Sequence, residues 1–300
     1  MNNTKTKKRI DIASIIVFGI IGFIMAIIVV TYIYSIFWAL MSSLKDTFDY
    51  TLNPLGLPDQ IHFENYVNAW KDLKIEIYRT KTSSFMEFTY WNMFGNSLVM
   101  TVIHSFMAVF MPLLTSYAVA RYRFFGRNAL YRIAIVVMII PIYGALSSSL
   151  AVRRALGIYD NMILFLLTQT GGFGFNFVLL YGVFRGLDNG YAEAAEIDGA
   201  GHHCIMWRIY VPMVFSTLIA LFVLAFVGHW NDYMTVVTYL PSTPNLAYGI
   251  YMFNTLATVK QHSVPEVLTG FVYVAIPAII LWVASQKLIV GKVAVGGLKG

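Results

Sequence analysis

The side chains that could do chemistry are few and scattered along this chain. His202 and His203 are adjacent, and neighbouring residues on a helix do not face each other, so the two imidazoles cannot ligate one ion together. No third ligand stands at the spacing of a metal site, and no G-x-x-x-x-G-K-[ST] stretch for nucleotide phosphates occurs. Cys204 is the only cysteine, which excludes an intrachain disulfide. We therefore predict no catalytic residue, metal site or cofactor in the chain itself.

One segment, 185–212, combines acidic, small and turn-forming residues. Glu193 and Glu196 offer carboxylates to a cationic pocket, and the alanines between them allow a partner backbone to come close. Alanine favours a helix and Gly199 favours its end, so we predict a short helix, a turn and a second helix. Docking into a groove of another protein and an ordinary helical hairpin both fit this pattern. The residues able to cap the first helix are Asp188 and Asn189.

The composition of the whole chain indicates what kind of structure holds this segment. The 300 residues are 58% apolar and only 12% charged, whereas soluble domains carry about 25% charged residues. A soluble enzyme and a disordered chain are excluded by these values. The net charge of +6 is spread too thinly to form a basic face for nucleic acid. The composition is typical of a membrane protein with several spans.

A spanning helix needs about 20 consecutive residues that are mostly apolar. Residues 233–259 are also uncharged, but their prolines and asparagines favour an external loop with a short helical part. The basic start of the chain resembles a signal peptide, yet the apolar run after it is too long for one. We therefore predict a retained first helix and six spans in all, within 12–44, 88–120, 133–152, 161–184, 209–231 and 267–286.

The orientation follows from where Lys and Arg lie. With six spans and a cytoplasmic N-terminus, 13 basic residues fall inside and eight outside, while five acidic residues fall inside and ten outside. This inside excess of positive charge is the usual topology signal. Both termini are therefore expected in the cytoplasm, and the segment 185–212 faces it too.

The predicted order of regions follows from these spans. In the first external loop Phe63, Tyr66, Val67 and Trp70 make one apolar stripe on a short helix. That helix packs on its own membrane domain or docks an external partner. The regions are a cytoplasmic N-terminus (1–11), a first transmembrane helix (12–44), an external loop (45–87), a five-helix core (88–290) with a cytoplasmic coupling loop (185–211) and an external loop (232–266), and a cytoplasmic tail (291–300).

The cytoplasmic loop resembles the EAA loop of bacterial ABC-importer permeases. That pattern is E-A-A, three residues, G, nine residues and I-x-L-P, and it is matched by Glu193-Ala194-Ala195, Gly199, Ile209 and Pro212. Only Val211 departs from it, where Leu is usual. Stretches 116–127, 230–232 and 296–300 are similar to the carbohydrate permeases of the MalG type.

This resemblance implies an all-α membrane protein with six transmembrane helices and the MetI-like permease fold. It implies a second permease subunit, two ATPase subunits that carry ATP and Mg, and an extracytoplasmic solute-binding protein that delivers a carbohydrate. The chain itself is expected to be no enzyme and to reside in the bacterial cytoplasmic membrane. The residues implied in ATPase coupling are Glu193, Ala194, Ala195, Asp198 and Gly199, and those of an ATPase-contact tail are Gly297, Leu298, Lys299 and Gly300.

Polar groups within the spans are candidates for a substrate pathway. Interhelical hydrogen bonding is the alternative role for each of them, and the expected role of His104. The EAA loop alone also allows a non-sugar solute such as a peptide or amino acid. A membrane enzyme would need clustered acids or histidines at one membrane face, which the sequence lacks. The candidate pathway residues are Tyr143, Ser147, Ser148, Asn176, Tyr181, Asn231 and Asp232.

Overall fold

The computed structural model describes residues 12–79, 84–140, 144–168 and 171–296. Most of the described residues are helical, and one β-hairpin lies in the predicted external loop. The helices are α1 (Ile12–Ser43), α2 (Thr47–Leu52), α3 (Glu64–Asp72), α4 (Tyr90–Arg121), α5 (Arg127–Ile139), α6 (Ala145–Ala155), α7 (Met162–Thr168), α8 (Phe175–Gly186), α9 (Gly190–Ile197), α10 (His202–Ile205), α11 (Val211–Trp230), α12 (Met234–Tyr239), α13 (Leu246–Thr255), α14 (Ala257–Lys260) and α15 (Val264–Gly296).

Four described helical segments are long and apolar enough to cross a membrane. They are Ile15–Ser43 within α1, Tyr90–Arg121, His202–Trp230 and Val264–Lys287. These four coincide with the first, second, fifth and sixth predicted spans. In three of them a fifth to two fifths of the apolar window is buried within the chain, whereas none of the window in α1 is. The first helix therefore offers its whole apolar surface to lipid or to another subunit.

The third and fourth predicted spans are not single helices. The stretch 133–152 is divided between α5 and α6, and 161–184 is divided between α7 and α8. The division of the third follows from Pro141, because a residue before proline avoids the helical region. Ile140 accordingly has an extended backbone, with φ −73° and ψ 112°. Glycines at 171, 172 and 174 separate the two helices of the fourth.

The chain divides into two compact units. The first unit comprises residues 1–71 and 257–272. Within it, the amide of Asn65 on α3 donates to the carbonyls of Ser43 and Lys45, at 2.9 and 2.7 Å. These carbonyls lie at the end of α1, where helical partners run out.

The predicted short helix in the external loop forms as α3, but its buried face differs from the predicted stripe. Asn65 and Ala69 are the buried residues of this helix, whereas Phe63 and Val67 are exposed. Because the Asn65 amide donates to two backbone carbonyls, its side chain occupies the buried face of α3, and Phe63 and Val67 lie on the exposed face. Both roles predicted for the stripe, packing on the membrane domain and docking an external partner, stay predictions.

The second unit comprises residues 72–256 and 273–300. It begins with the hairpin of β1 (Ile75–Arg79) and β2 (Ser84–Phe88), which pair antiparallel with Ile75 opposite Phe88. Its main core lies where α4 packs on α8 and α11, and it holds buried residues such as Tyr117, Phe184 and Tyr210. The segment 233–259 forms three short helices, as expected for a loop that does not span.

Candidate functional site

The coupling loop folds as predicted into a short helix, a turn and a second helix. Helix α9 ends in a Schellman motif, because the Ala200 N–H donates to the Ala195 carbonyl at 2.9 Å and the Gly199 N–H to that of Glu196 at 3.0 Å. Gly199 adopts φ +80°, a left-handed conformation that favours glycine. At the start of the helix, the carboxylate of Asp188 accepts the Gly190 N–H at 3.1 Å. The turn is therefore closed by local bonds alone.

The outward face of α9 is acidic at its edges and apolar at its centre. Glu193, Ala194 and Asp198 are exposed, and Ile197 exposes 86% of its surface. Ile197 is thus open to contact by a partner, although one exposed apolar side chain does not by itself mark an interface. The sequence analysis did not single out Ile197, although its apolar character beside Asp198 was the available signal.

Ala195 lies on the other side of α9. It is partly buried and packs against the core formed by α4, α8 and α11. Ala194 is thus more open to a partner than Ala195, because residues i and i+1 of a helix point in different directions. The role of both in ATPase coupling stays a prediction.

Arg121 ties the coupling loop to two long helices. It is the last residue of α4, and its guanidinium donates to the Asn189 side chain and to the Leu187 carbonyl, the latter at 2.9 Å. The same guanidinium lies 4.3 Å from the ring centroid of Tyr210, next to the first residue of α11. A planar guanidinium can make such bonds in its plane while stacking on a ring. Arg121 therefore joins the segment just before α9 to the end of α4 and the residue before α11.

The second helix of the loop contains a π-helical turn, Met206–Tyr210. Pro212 follows it and has no N–H to offer, so the helical bonding pattern must adjust here. The two adjacent histidines lie on this second helix, and their rings contact aromatic neighbours. His202 lies 5.6 Å from Tyr122, and His203 lies 6.1 Å from Trp207, between ring centroids.

A polar cavity lies in the second unit, between the middle of α4 and the C-terminal end of α11. Its volume is about 340 Å³. His104 and His229 face each other in its wall, with ring centroids 4.9 Å apart. We call it the histidine cavity, and the residues that line it are His104, Ala108, Pro112, Gly171, Gly174, Phe175, Asn176, Phe177, His229, Asp232 and Thr235.

Asn176 is fixed in this wall by a break in the bonding of α4. Pro112 has no N–H, so the carbonyl of Ala108 loses its helical partner. The Asn176 amide donates to that carbonyl at 2.8 Å. Thr115, one turn further on, donates to the Gly172 carbonyl at 2.6 Å. These two bonds hold the glycine-rich start of α8 against α4.

Asp232 lies at the other end of the cavity wall. Its carboxylate accepts the Thr235 N–H at 3.0 Å and the Thr235 hydroxyl at 2.5 Å, which starts helix α12. The Asp232 carbonyl accepts the side-chain amide of Asn245 at 2.8 Å. Asn245 in turn caps α13 by accepting the Tyr248 N–H. The position of Asp232 is therefore fixed by bonds within the segment 232–245.

The candidate pathway residues have separate locations. Asn176 and Asp232 line the histidine cavity. Tyr181 stacks on Tyr131 with centroids 4.3 Å apart. Ser148 donates to the Ala145 carbonyl, and Asn231 is exposed and donates to the Val227 carbonyl one helical turn before it. The exposed side chain of Ser147 is outside the cavity wall, whereas Tyr143 and the tail residues Gly297, Leu298, Lys299 and Gly300 are outside the described residues.

The structure adds His229 to the predicted set and changes the expectation for His104. The Nε2 atom of His104 is buried and has no hydrogen-bond partner among the described residues. His229 was missed by the sequence analysis, although a histidine within an apolar span was a sufficient signal. Within the described part of the chain, no three His, Cys, Asp or Glu side chains are grouped so as to hold a metal ion.

Three comparisons bear on this arrangement. The chain is 29% identical to the inner membrane ABC transporter permease protein YcjP of Escherichia coli, over 92% of this chain and 94% of that protein. It is 27% identical to the diacetylchitobiose uptake system permease protein NgcG of Streptomyces coelicolor, over 86% of this chain and 82% of that one. Its fold matches a bacterial ABC transporter involved in the import of the acidic polysaccharide alginate, with a TM-score of 0.69, 22% identity, and coverage of 91% of this chain and 97% of that one.

Residues 108–293 match the family described as the binding-protein-dependent transport system inner membrane component. The match includes α9 with its Schellman turn and every lining residue of the histidine cavity except His104. Its helical fold is the permease fold that the EAA pattern implied. The chain belongs to this family, and it is a membrane-embedded permease subunit of an ABC transport system rather than an enzyme.

Proposed function

We propose that this chain is a permease subunit of an ATP-driven importer for a sugar or oligosaccharide, delivered by an extracytoplasmic solute-binding protein. The observation that carries the importer assignment is the exposed helix α9 with its EAA pattern, which Arg121 joins to α4 and α11. The sugar assignment is supported by NgcG, whose name specifies uptake of diacetylchitobiose.

In this proposal α9 is the element that docks on an ATPase. Glu193 pairs with a basic residue of the ATPase, while Ala194 and Ile197 pack into its groove. Asp198 and Gly199 form the closed end of the helix, so that α9 moves as a rigid body. When ATP closes the ATPase pair, α9 is displaced and Arg121 passes the displacement to α4 and α11. The two helices then switch between inward-facing and outward-facing arrangements.

The rest of the assembly follows from the same proposal. A second permease completes the pathway, and the exposed apolar surface of α1 contacts that permease or lipid. Two ATPase subunits hold ATP and Mg, and this chain holds no cofactor. Both chain termini lie in the cytoplasm of a bacterium, where the tail residues Gly297–Gly300 reach the ATPase.

The test is purification of the chain in detergent from its native host. We expect a second permease and an ATPase to copurify, and a loaded solute-binding protein to raise ATP hydrolysis with one sugar and not with others. Stimulation by a peptide or amino acid instead would contradict the sugar assignment. A chain that purifies alone and catalyses a reaction of its own would contradict the importer assignment.

A further inference from the structure

The histidine cavity concentrates polar groups in a part of the chain that is otherwise apolar. His104 lies in the middle of α4, His229 at the end of α11, and Asn176 at the start of α8. Polar side chains at membrane depth are costly, and they usually mark substrate pathways or pair with one another. The Asn176 amide is paired with Ala108, but the imidazoles need partners of their own.

His104 is the least satisfied of these groups. It is only 6% exposed, and its Nε2 atom has no hydrogen-bond partner among the described residues. The ring is held between Phe165 and His229, at centroid distances of 5.6 and 4.9 Å. A buried polar atom left without a partner is costly, and at His104 this atom is closed off from solvent. The side chains of His229, Asn176 and Asp232 are partly exposed in the cavity wall, where a ligand can reach them.

The side chains in the cavity wall offer the hydrogen-bond donors and acceptors that a sugar hydroxyl needs. An imidazole can donate from one nitrogen and accept at the other, and a hydroxyl can do both. The Asn176 side chain uses its amide on Ala108, which leaves its carbonyl oxygen as an acceptor. The Asp232 carboxylate accepts two bonds from Thr235 and retains further lone pairs.

The charge of the cavity favours a neutral ligand. Asp232 is the only Asp, Glu, Lys or Arg among the described residues that line it. A sugar acid would bring its carboxylate beside this one without a lysine or arginine to neutralise it. The volume of about 340 Å³ is near the lower end of the ~300–1,000 Å³ range of ligand pockets. The cavity therefore suits one sugar ring rather than a whole oligosaccharide.

We propose that the histidine cavity is a subsite of this subunit that binds one unit of a neutral saccharide. His104 and His229 bond its hydroxyls, and Asn176 and Asp232 accept from them. This inference rests on the proposed sugar-import function, and it assigns direct substrate contact to this chain and not only to its sister permease.

The experiment uses the assembled transporter in lipid nanodiscs. Maltotriose and diacetylchitobiose, both neutral, are delivered by the solute-binding protein, and stimulated ATP hydrolysis is measured. The complex is then trapped with ADP and vanadate, and the retained radiolabelled sugar is counted. The variants are His104→Gln, His229→Gln and their combination, and His62→Gln is the control because it lies outside both the cavity wall and the coupling loop.

We expect the double variant to retain about tenfold less sugar, with ATP hydrolysis within about twofold of the wild type, because the two imidazoles are lost while α9 is untouched. The control should match the wild type in both measurements. Unchanged sugar retention in the double variant overturns the subsite and leaves the proposed function standing. Absence of stimulation by either sugar in the wild type counts against the proposed sugar function, and the subsite falls with it.

A second measurement avoids variants that fail to fold. The wild-type complex is treated with diethylpyrocarbonate, which modifies histidine, and each histidine is followed by mass spectrometry. We expect sugar to protect His229 in the trapped complex and to leave His203 unchanged. Equal modification of His229 with and without sugar overturns the subsite.

Discussion

The coupling loop and the histidine cavity are joined by the same two helices, yet their backbone groups are satisfied in different ways. In the coupling loop, the end of α9 is closed by bonds between residues five and three positions apart. In the cavity, the carbonyl that Pro112 leaves free on Ala108 is satisfied by Asn176, 68 residues away. One region is a local structure held on the surface, and the other exists only when three helices have packed.

This difference predicts how each region responds to change. Substitutions on the exposed face of α9 should weaken docking and leave the fold of the subunit intact, because that face has no partner within the described chain. Substitutions in the cavity wall should alter packing and substrate contact together. Arg121 belongs to α4 and contacts the coupling loop at both of its ends, through Leu187 and Tyr210.

The largest expected effect comes from Gly199→Pro. Proline cannot adopt φ +80° and has no N–H to donate to the Glu196 carbonyl, so the Schellman turn is lost. We expect sugar uptake in proteoliposomes to fall by about a hundredfold or more, as a cost of ~3 kcal/mol implies. Gly201→Ala is the control, because Gly201 has φ −72° and open space around its Cα. Normal uptake by the proline variant would show that the turn has no role in coupling.

Glu193→Lys tests the docking face alone. A reversed charge opposite a basic residue of the ATPase costs several kcal/mol at an interface. We expect the ATPase to copurify at least about tenfold less well, while the melting temperature of the subunit is unchanged. Glu76→Lys, on the exposed hairpin, makes the same change in net charge and should have no effect. Equal copurification of the two variants would remove Glu193 from the interface.

Arg121→Lys tests the connection between the coupling loop and α4. Lysine keeps the charge but cannot reach Asn189 and Leu187 together while stacking on Tyr210. We expect ATP hydrolysis to continue while uptake per ATP falls by about threefold to tenfold, a loss of roughly 1 kcal/mol of coupling. Arg123→Lys, two residues further on and exposed, serves as the control. A proportional fall in hydrolysis and uptake would point to lost assembly rather than lost coupling.

Asn176→Leu tests the bond between α8 and α4 through the stability of the subunit. The leucine has a similar size but leaves the Ala108 carbonyl without its donor, which costs about 1–3 kcal/mol in the free energy of unfolding. We expect a lower melting temperature of the purified subunit. Asn231→Leu is the matched change at an exposed residue, and it should cost within about 0.5 kcal/mol. Equal melting temperatures for the two variants would mean that the long-range bond does not stabilise α8 on α4.

Much of the fold could be predicted because long apolar stretches without charges are recognisable in the sequence. The four long helices lie where uncharged runs were found, since a lipid core demands about 20 apolar residues in a row. The breaks in the third and fourth spans were not predicted, although Pro141 and the glycines at 171–174 were visible in the sequence. Hydrophobicity alone does not reveal such breaks, because they arise from the backbone requirements of proline and glycine.

The sequence by itself determined the class of the protein and its coupling loop. A count of charges indicated a membrane protein, and the Glu193–Pro212 pattern indicated a permease, because both features are local along the chain. Gly199 was assigned to the turn for the same reason, and the left-handed backbone agrees with that assignment.

Only the tertiary structure decided which face of each helix is covered and which polar groups meet. In the structure Ala195 packs against the core, whereas Ile197 is exposed. His104, Asn176 and His229 line one cavity although they span 125 positions of the sequence. The physical reason is that an interhelical contact depends on how α4, α8 and α11 pack together. No spacing of residues along a single helix contains that information.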